Sequence, residues 1–163
     1  MKLRTGALAL LLAVGVAMLA ATSAGAAGAG AVSFTQHFNN EVLFTDPNAN
    51  NPCTGAPGTI TATATNGVFH ITTLANGTFW ATFTAEGTIT FVPDNPADAS
   101  ASGHLATWDG ENGNLRNATE TSTFNAVLFG TDGSLLNAHE TFHISSSASG
   151  GSITFDKMVL TCG

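Results

Sequence analysis

From Val32 onward, apolar residues come in short alternating runs cut by Gly, Asn, Asp and Pro. No stretch repeats them at the three-and-four spacing of an amphipathic helix. A period of two sends successive side chains to opposite faces of an extended strand, so this region must fold as β-sheet with one face buried. The same region holds 22 Thr, concentrated in those runs, and Thr suits a pleated surface better than a helix. The runs predict strands near 32–38, 59–65, 68–73, 78–86, 88–93, 101–108, 117–129, 134–144 and 152–161. Loops are expected over 46–58, 93–99 and 109–114.

Turn chemistry makes the strand register testable. Asn66-Gly67 suits a two-residue type I′ turn, which sets Ala64 opposite Phe69, Ala62 opposite Ile71 and Ile60 opposite Thr73. Ala75-Asn76-Gly77 fits a three-residue loop with Gly in the left-handed position, setting Phe79 opposite Thr73, Ala81 opposite Ile71 and Phe83 opposite Phe69. Thr131-Asp132-Gly133 does the same for Leu128 with Leu136, Ala126 with Ala138 and Ser122 with Phe142. Each pairing keeps the apolar residues on one face, as a wrong register would not. The fold class is therefore all-β, an antiparallel up-and-down meander of eight or nine strands. An inner face of Phe, Ile and Leu interleaved with Ala favours a small barrel over a sandwich, because closure removes exposed edges.

The first residues follow a different pattern. Lys2 and Arg4 precede an apolar run from Ala7 to Ala20, and small residues follow through Ala27. A positive start, an apolar centre and an A-x-A site make a secretory signal peptide over 1–26, with cleavage after Ala26 or as late as Ala31, ahead of one all-β domain over 32–163. The run is shorter than a bilayer span, so no transmembrane anchor is expected after processing and the protein is expected to be extracellular. In an oxidising compartment the only two cysteines, Cys53 and Cys162, are expected to form a disulfide.

Charge narrows the partners. The chain has 4 Lys and Arg against 11 Asp and Glu, a formal charge of −7. Removal of Lys2 and Arg4 leaves Arg116 and Lys157 as the basic residues, too few to neutralise a run of phosphates, so nucleic acid is excluded as a partner.

His139-Glu140-Thr141-Phe142-His143 spells H-E-x-x-H, which on a helix binds zinc through both His with the Glu as general base. On the expected strand, His139 and His143 stand about 13 Å apart and Glu140 faces the other way, so the motif is read as a decoy and no metal or other cofactor is expected. A zinc-dependent hydrolase using these residues is the enzyme alternative. Glu120 and Glu140 fall on the more apolar face, where a carboxyl has a raised pKa. They lie about 13 Å apart along the strands, beyond a glycosidase pair. Trp80, His70, Trp108 and His104 project from the opposite face and are the candidate ligand contacts. Thr59, Thr61, Thr63 and Thr65 with Thr82 and Thr84 form a hydroxyl array on the same side.

Several segments resemble a family of secreted actinobacterial β proteins without an assigned function. They are Asn51-Pro52-Cys53-Thr54-Gly55, the run from Gly103 to Trp108, Asn117-Ala118-Thr119 into Ser122-Thr123-Phe124-Asn125, His139 to Ile144, Phe155-Asp156-Lys157 and Cys162. The resemblance implies a strand for the His-Glu segment and carries over no catalytic residue. The expected function is a non-enzymatic binding or cell-surface-associated module. Its partner is expected to be a small apolar ligand, a glycan or a cell-envelope component.

Overall fold

The computed structural model describes residues 30–147 and 150–163, with backbone alone at 151–153, so the expected leader lies outside the described residues. Within them the chain is all β. Eight strands form one antiparallel sheet: β1 (Val32–Phe38), β2 (Glu41–Asn50), β3 (Pro57–Thr73), β4 (Phe79–Pro93), β5 (Ala101–Gly113), β6 (Asn117–Gly130), β7 (Leu135–Ser147) and β8 (Gly150–Cys162). From β3 to β8 each strand pairs with the next, as a meander requires. β1 and β2 share the free side of β3, end to end: β2 covers its first half and β1 its second.

The turns at Gly77 and Gly133 place these glycines at φ +79° and +86°, a conformation that a side chain opposes. They produce the expected registers, Phe83 opposite Phe69 and Leu136 opposite Leu128 among them. Asn66-Gly67 does not turn. β3 runs straight through it, and Thr65 forms a bulge, donating its hydroxyl to the Glu86 carbonyl at 3.1 Å. An extra residue shifts the inward positions from Ile60, Ala62 and Ala64 to Gly67, Phe69 and Ile71. A hairpin and a bulge both reconcile that change of parity. The 15-residue β4 decides for the bulge, because it pairs with β3 along its whole length. The strands expected over 78–86 and 88–93 are likewise one, passing through Gly87, where a Cβ would run into the Thr63 carbonyl of β3.

Other boundaries also differ. β2 occupies part of the expected loop over 46–58, and β5 continues to Gly113, across most of the expected loop over 109–114. Thr61 and Thr63 lie opposite Thr90 and Thr88, whereas Thr82 and Thr84 lie opposite His70 and Val68, so the hydroxyls of the expected array are split along the sheet.

The core occupies one end of the sheet's inner face. Ala62, Ile89, Phe91, Leu105, Ala126 and Leu128 are its buried members, with Leu43, Phe44, Phe124 and Leu136 packed against them. Leu105 lies opposite Gly87, so the largest fully buried side chain stands beside a position without one. The ladder does not close: β1 and β2 form one margin and β8 the other. The expected Cys53–Cys162 disulfide links those margins at the core end, joining the β2–β3 loop to the end of β8 across a Cα–Cα distance of 5.8 Å. Asn51 shapes that loop by accepting the backbone N–H of Cys53 at 2.9 Å. Beneath it lies a cavity of about 20 Å³ bordered by Ile60, Phe91, Leu128 and Leu136, too small for an organic ligand.

Candidate functional site

Antiparallel pairing puts directly opposed residues on the same face, so the registers define lateral rows across the outer surface. One row runs Thr35, His70, Thr82, Gly110, Thr121, His143 and Phe155. Trp80 stands on the row beside it, opposite Thr72 and Asn112, and Trp108 on the other side, opposite Thr84 and Thr123. Both indoles are substantially open to solvent, 49% for Trp80 and 42% for Trp108. The Trp108 ring leans along β5 over Gly110, where a Cβ would lie 2.7 Å from Cη2 and 2.8 Å from Cζ2. The missing side chain at Gly110 thus lets the indole settle on the sheet.

His70 lies on β3, one strand away from Trp80, in the row between those of the two indoles. Its Nδ1 shares a hydrogen bond of 2.7 Å with the Thr35 hydroxyl, and its Nε2 one of 3.2 Å with Thr72. Thr72 is held in turn by Ser33 at 2.8 Å. The structure therefore gathers Trp80, His70 and Trp108 on one face. His104 is on that face too, but four residues from Trp108 along β5, about 13 Å away, and opposite Thr88 and Val127.

The inner face beyond the core carries carboxyls. Glu111 lies directly opposite Glu120, and Asp109 sits one inward position along β5 from Glu111, opposite Ser122. Their row neighbours are apolar: Phe83 beside Asp109, Ala81 beside Glu111 and Ile144 beside Glu120. Burial against such residues raises the pKa of all three. Glu120 is pushed up to about 8, first by burial, then by the charge of Asp109 and a hydrogen bond to it, and last by Glu111. Protonated at neutral pH, Glu120 donates to Asp109, which partly offsets the effect of burial on Asp109. The pair can hold a proton between two carboxyl groups. Sequence reasoning reached Glu120 and missed Asp109 and Glu111 because it assigned them to a loop. The alternation of Thr107, Asp109 and Glu111 with Trp108 and Gly110 was the available signal.

Glu140 is only 6% exposed, and its Oε2 is buried with no hydrogen-bond partner among the described residues. It lies opposite Phe124 and Met158, and its pKa is pushed up to about 7 by burial and then by the charge of Asp156. Four strand positions separate it from the residue facing Glu120, as the sequence implied.

The H-E-x-x-H segment lies within β7. His139 binds Asn125 Oδ1 through Nδ1 at 2.6 Å and the Thr141 hydroxyl through Nε2 at 3.3 Å. His143 Nδ1 is bonded to Thr121 at 2.7 Å. Both imidazoles face outward while Glu140 is buried on the inner side, so these residues do not assemble the helical zinc site. No group of three or more His, Cys, Asp or Glu among the described residues could hold a metal ion.

No protein-family model matches the chain, and no curated protein and no solved structure matches it either.

Proposed function

We propose that the chain is a secreted, non-enzymatic binding module of the cell envelope or its surroundings, and that its ligand surface is the outer face around Trp80, His70 and Trp108. The observation that carries this reading is the pair of half-exposed indoles on one face of β4 and β5, with an imidazole fixed by Thr35 and Thr72 on the neighbouring β3. Amphipathic rings held on a rigid sheet lose little entropy on contact and present an apolar face with a polar edge. The cavity beneath the disulfide loop, about 20 Å³, is too small to serve as the ligand site instead. Export is supported by the leader read in residues 1–26 and by the disulfide, which is suited to an oxidising compartment.

Co-sedimentation of the purified protein with an insoluble cell-envelope fraction tests the reading. Binding is expected for the wild type and is lost in a Trp80→Ala/Trp108→Ala variant whose circular dichroism is unchanged. Retention of binding by that variant refutes the assignment of the surface.

A further inference from the structure

We infer that the outer face of β4 and β5 takes an uncharged, extended polysaccharide, lying along the strands with Trp80 and Trp108 each stacked on a sugar ring. This rests on the reading of that face as the ligand surface and names the chemistry of its occupant.

The first argument is spacing. Trp80 is opposite Asn112, and Trp108 is four residues from Asn112 on the same face of β5. Strand geometry puts their Cα atoms about 13 Å apart along the strands and about 5 Å across. The lean of Trp108 over Gly110, towards Asn112, brings its indole nearer to Trp80. A single sugar ring cannot cover both platforms, whereas several linked rings can. Exposed Thr82, Thr84 and Asn112 line the interval and offer hydroxyl and amide groups to sugar hydroxyls.

The second argument is charge. Between the two indoles the outward residues of β4 and β5 are Thr82, Thr84, Gly110 and Asn112, none of them ionisable. A polymer bearing phosphate or carboxylate would find no cation there, on a chain with 11 acidic and 4 basic residues. The weakly polar, aromatic character of the strip matches the alternating apolar faces and hydroxyl rims of a neutral glycan.

The chain has two Trp and no Tyr, so its intrinsic fluorescence reports these two platforms alone. The test titrates the disulfide-bonded protein with β-1,4-linked glucose and N-acetylglucosamine oligomers, their monosaccharides, and polygalacturonate as the anionic comparison. At least one neutral oligomer is expected to give a saturable change, about tenfold tighter than its monosaccharide and insensitive to salt. Trp80→Ala and Trp108→Ala should each weaken it by about tenfold, the scale of one lost stacking contact, and Trp80→Phe should retain most of it. Salt-sensitive preference for polygalacturonate overturns the inference. So does a flat titration with every neutral oligomer while envelope binding still depends on the two Trp, an outcome that leaves the ligand surface standing. Envelope binding that ignores both Trp overturns the surface and the inference together.

Discussion

Replacing Glu140 by Gln should change how stability depends on pH. In the folded protein this carboxyl is 6% exposed, has a buried oxygen without a partner among the described residues, and has its pKa pushed up to about 7. Its ordinary value is 4.5. Below that value it is protonated in both folded and unfolded chains and contributes no pH dependence. As the pH rises from 4.5 towards 7, the unfolded chain releases the proton and the folded chain keeps it. The fold therefore loses about 1.4 kcal/mol per pH unit in that window, and the loss is complete once the folded carboxyl has ionised. The full difference amounts to about 3 kcal/mol, and water reaching the neighbouring Met158 and Asp156 on β8 reduces it to about 1.5–3 kcal/mol.

A Gln cannot ionise, so its variant lacks this loss. It also brings an amide into a site without a partner, at a cost of about 1–3 kcal/mol that is the same at every pH. Urea denaturation of both proteins at pH 4 and pH 8.5 cancels that constant cost in the double difference. Relative to the wild type, Glu140→Gln should be more stable at pH 8.5 than at pH 4 by about 1.5–3 kcal/mol. A double difference below about 0.5 kcal/mol would refute the claim that Glu140 is held protonated by its surroundings.

Glu120→Gln should act in the same direction over a window that extends up to about pH 8, because its folded pKa is raised to about 8, and denaturation at pH 6 and pH 9.5 would detect it. Loss of the Cys53–Cys162 bridge in a double Ser variant should lower stability by up to about 4–5 kcal/mol for a 109-residue separation, read as a lower urea midpoint. Gly87→Ala should destabilise by at least about 1–3 kcal/mol, since its Cβ would meet the Thr63 carbonyl and the backbone of Ala64, whereas Gly133→Ala, with open space around it, should lose only about 1 kcal/mol to its positive φ. Thermal denaturation of the two variants side by side would check that ordering.

Much of this architecture was legible in the sequence because registers and turns constrain each other. Gly77 and Gly133 fixed two hairpins to the residue, and the distance between Glu120 and Glu140 followed from the second. The misreading at Asn66-Gly67 has a definite source: the apolar pattern changes parity there, and a bulge changes parity as well as a turn does. Pairing with the far end of β4 settles the matter, and that contact lies more than twenty residues away in the chain. β2 escaped notice because Pro47 and Asn48 sit at an irregular stretch of its ladder, between Asp46 and Ala49. The outer positions of Trp80, His70 and Trp108 followed from alternation, but the hydrogen bond of His70 to Thr35 depends on β1 pairing with β3, which no local pattern specifies.

The disulfide has a consequence for the order of folding. From β3 to β8 every ladder joins strands adjacent in the chain, so each pairing closes only a short loop and can form soon after its two strands are available. The two sulfurs, 109 residues apart, meet only after β8 has docked on β7 and the sheet has curled enough to bring its margins together. Oxidation is then a late step that locks a register already chosen, and a reduced chain should reach most of its hydrogen-bonded structure unaided. Premature bonding is harmless within one chain, since two cysteines allow a single intramolecular pairing; the hazard lies between chains, where reduced molecules meet at high concentration before their own margins have closed.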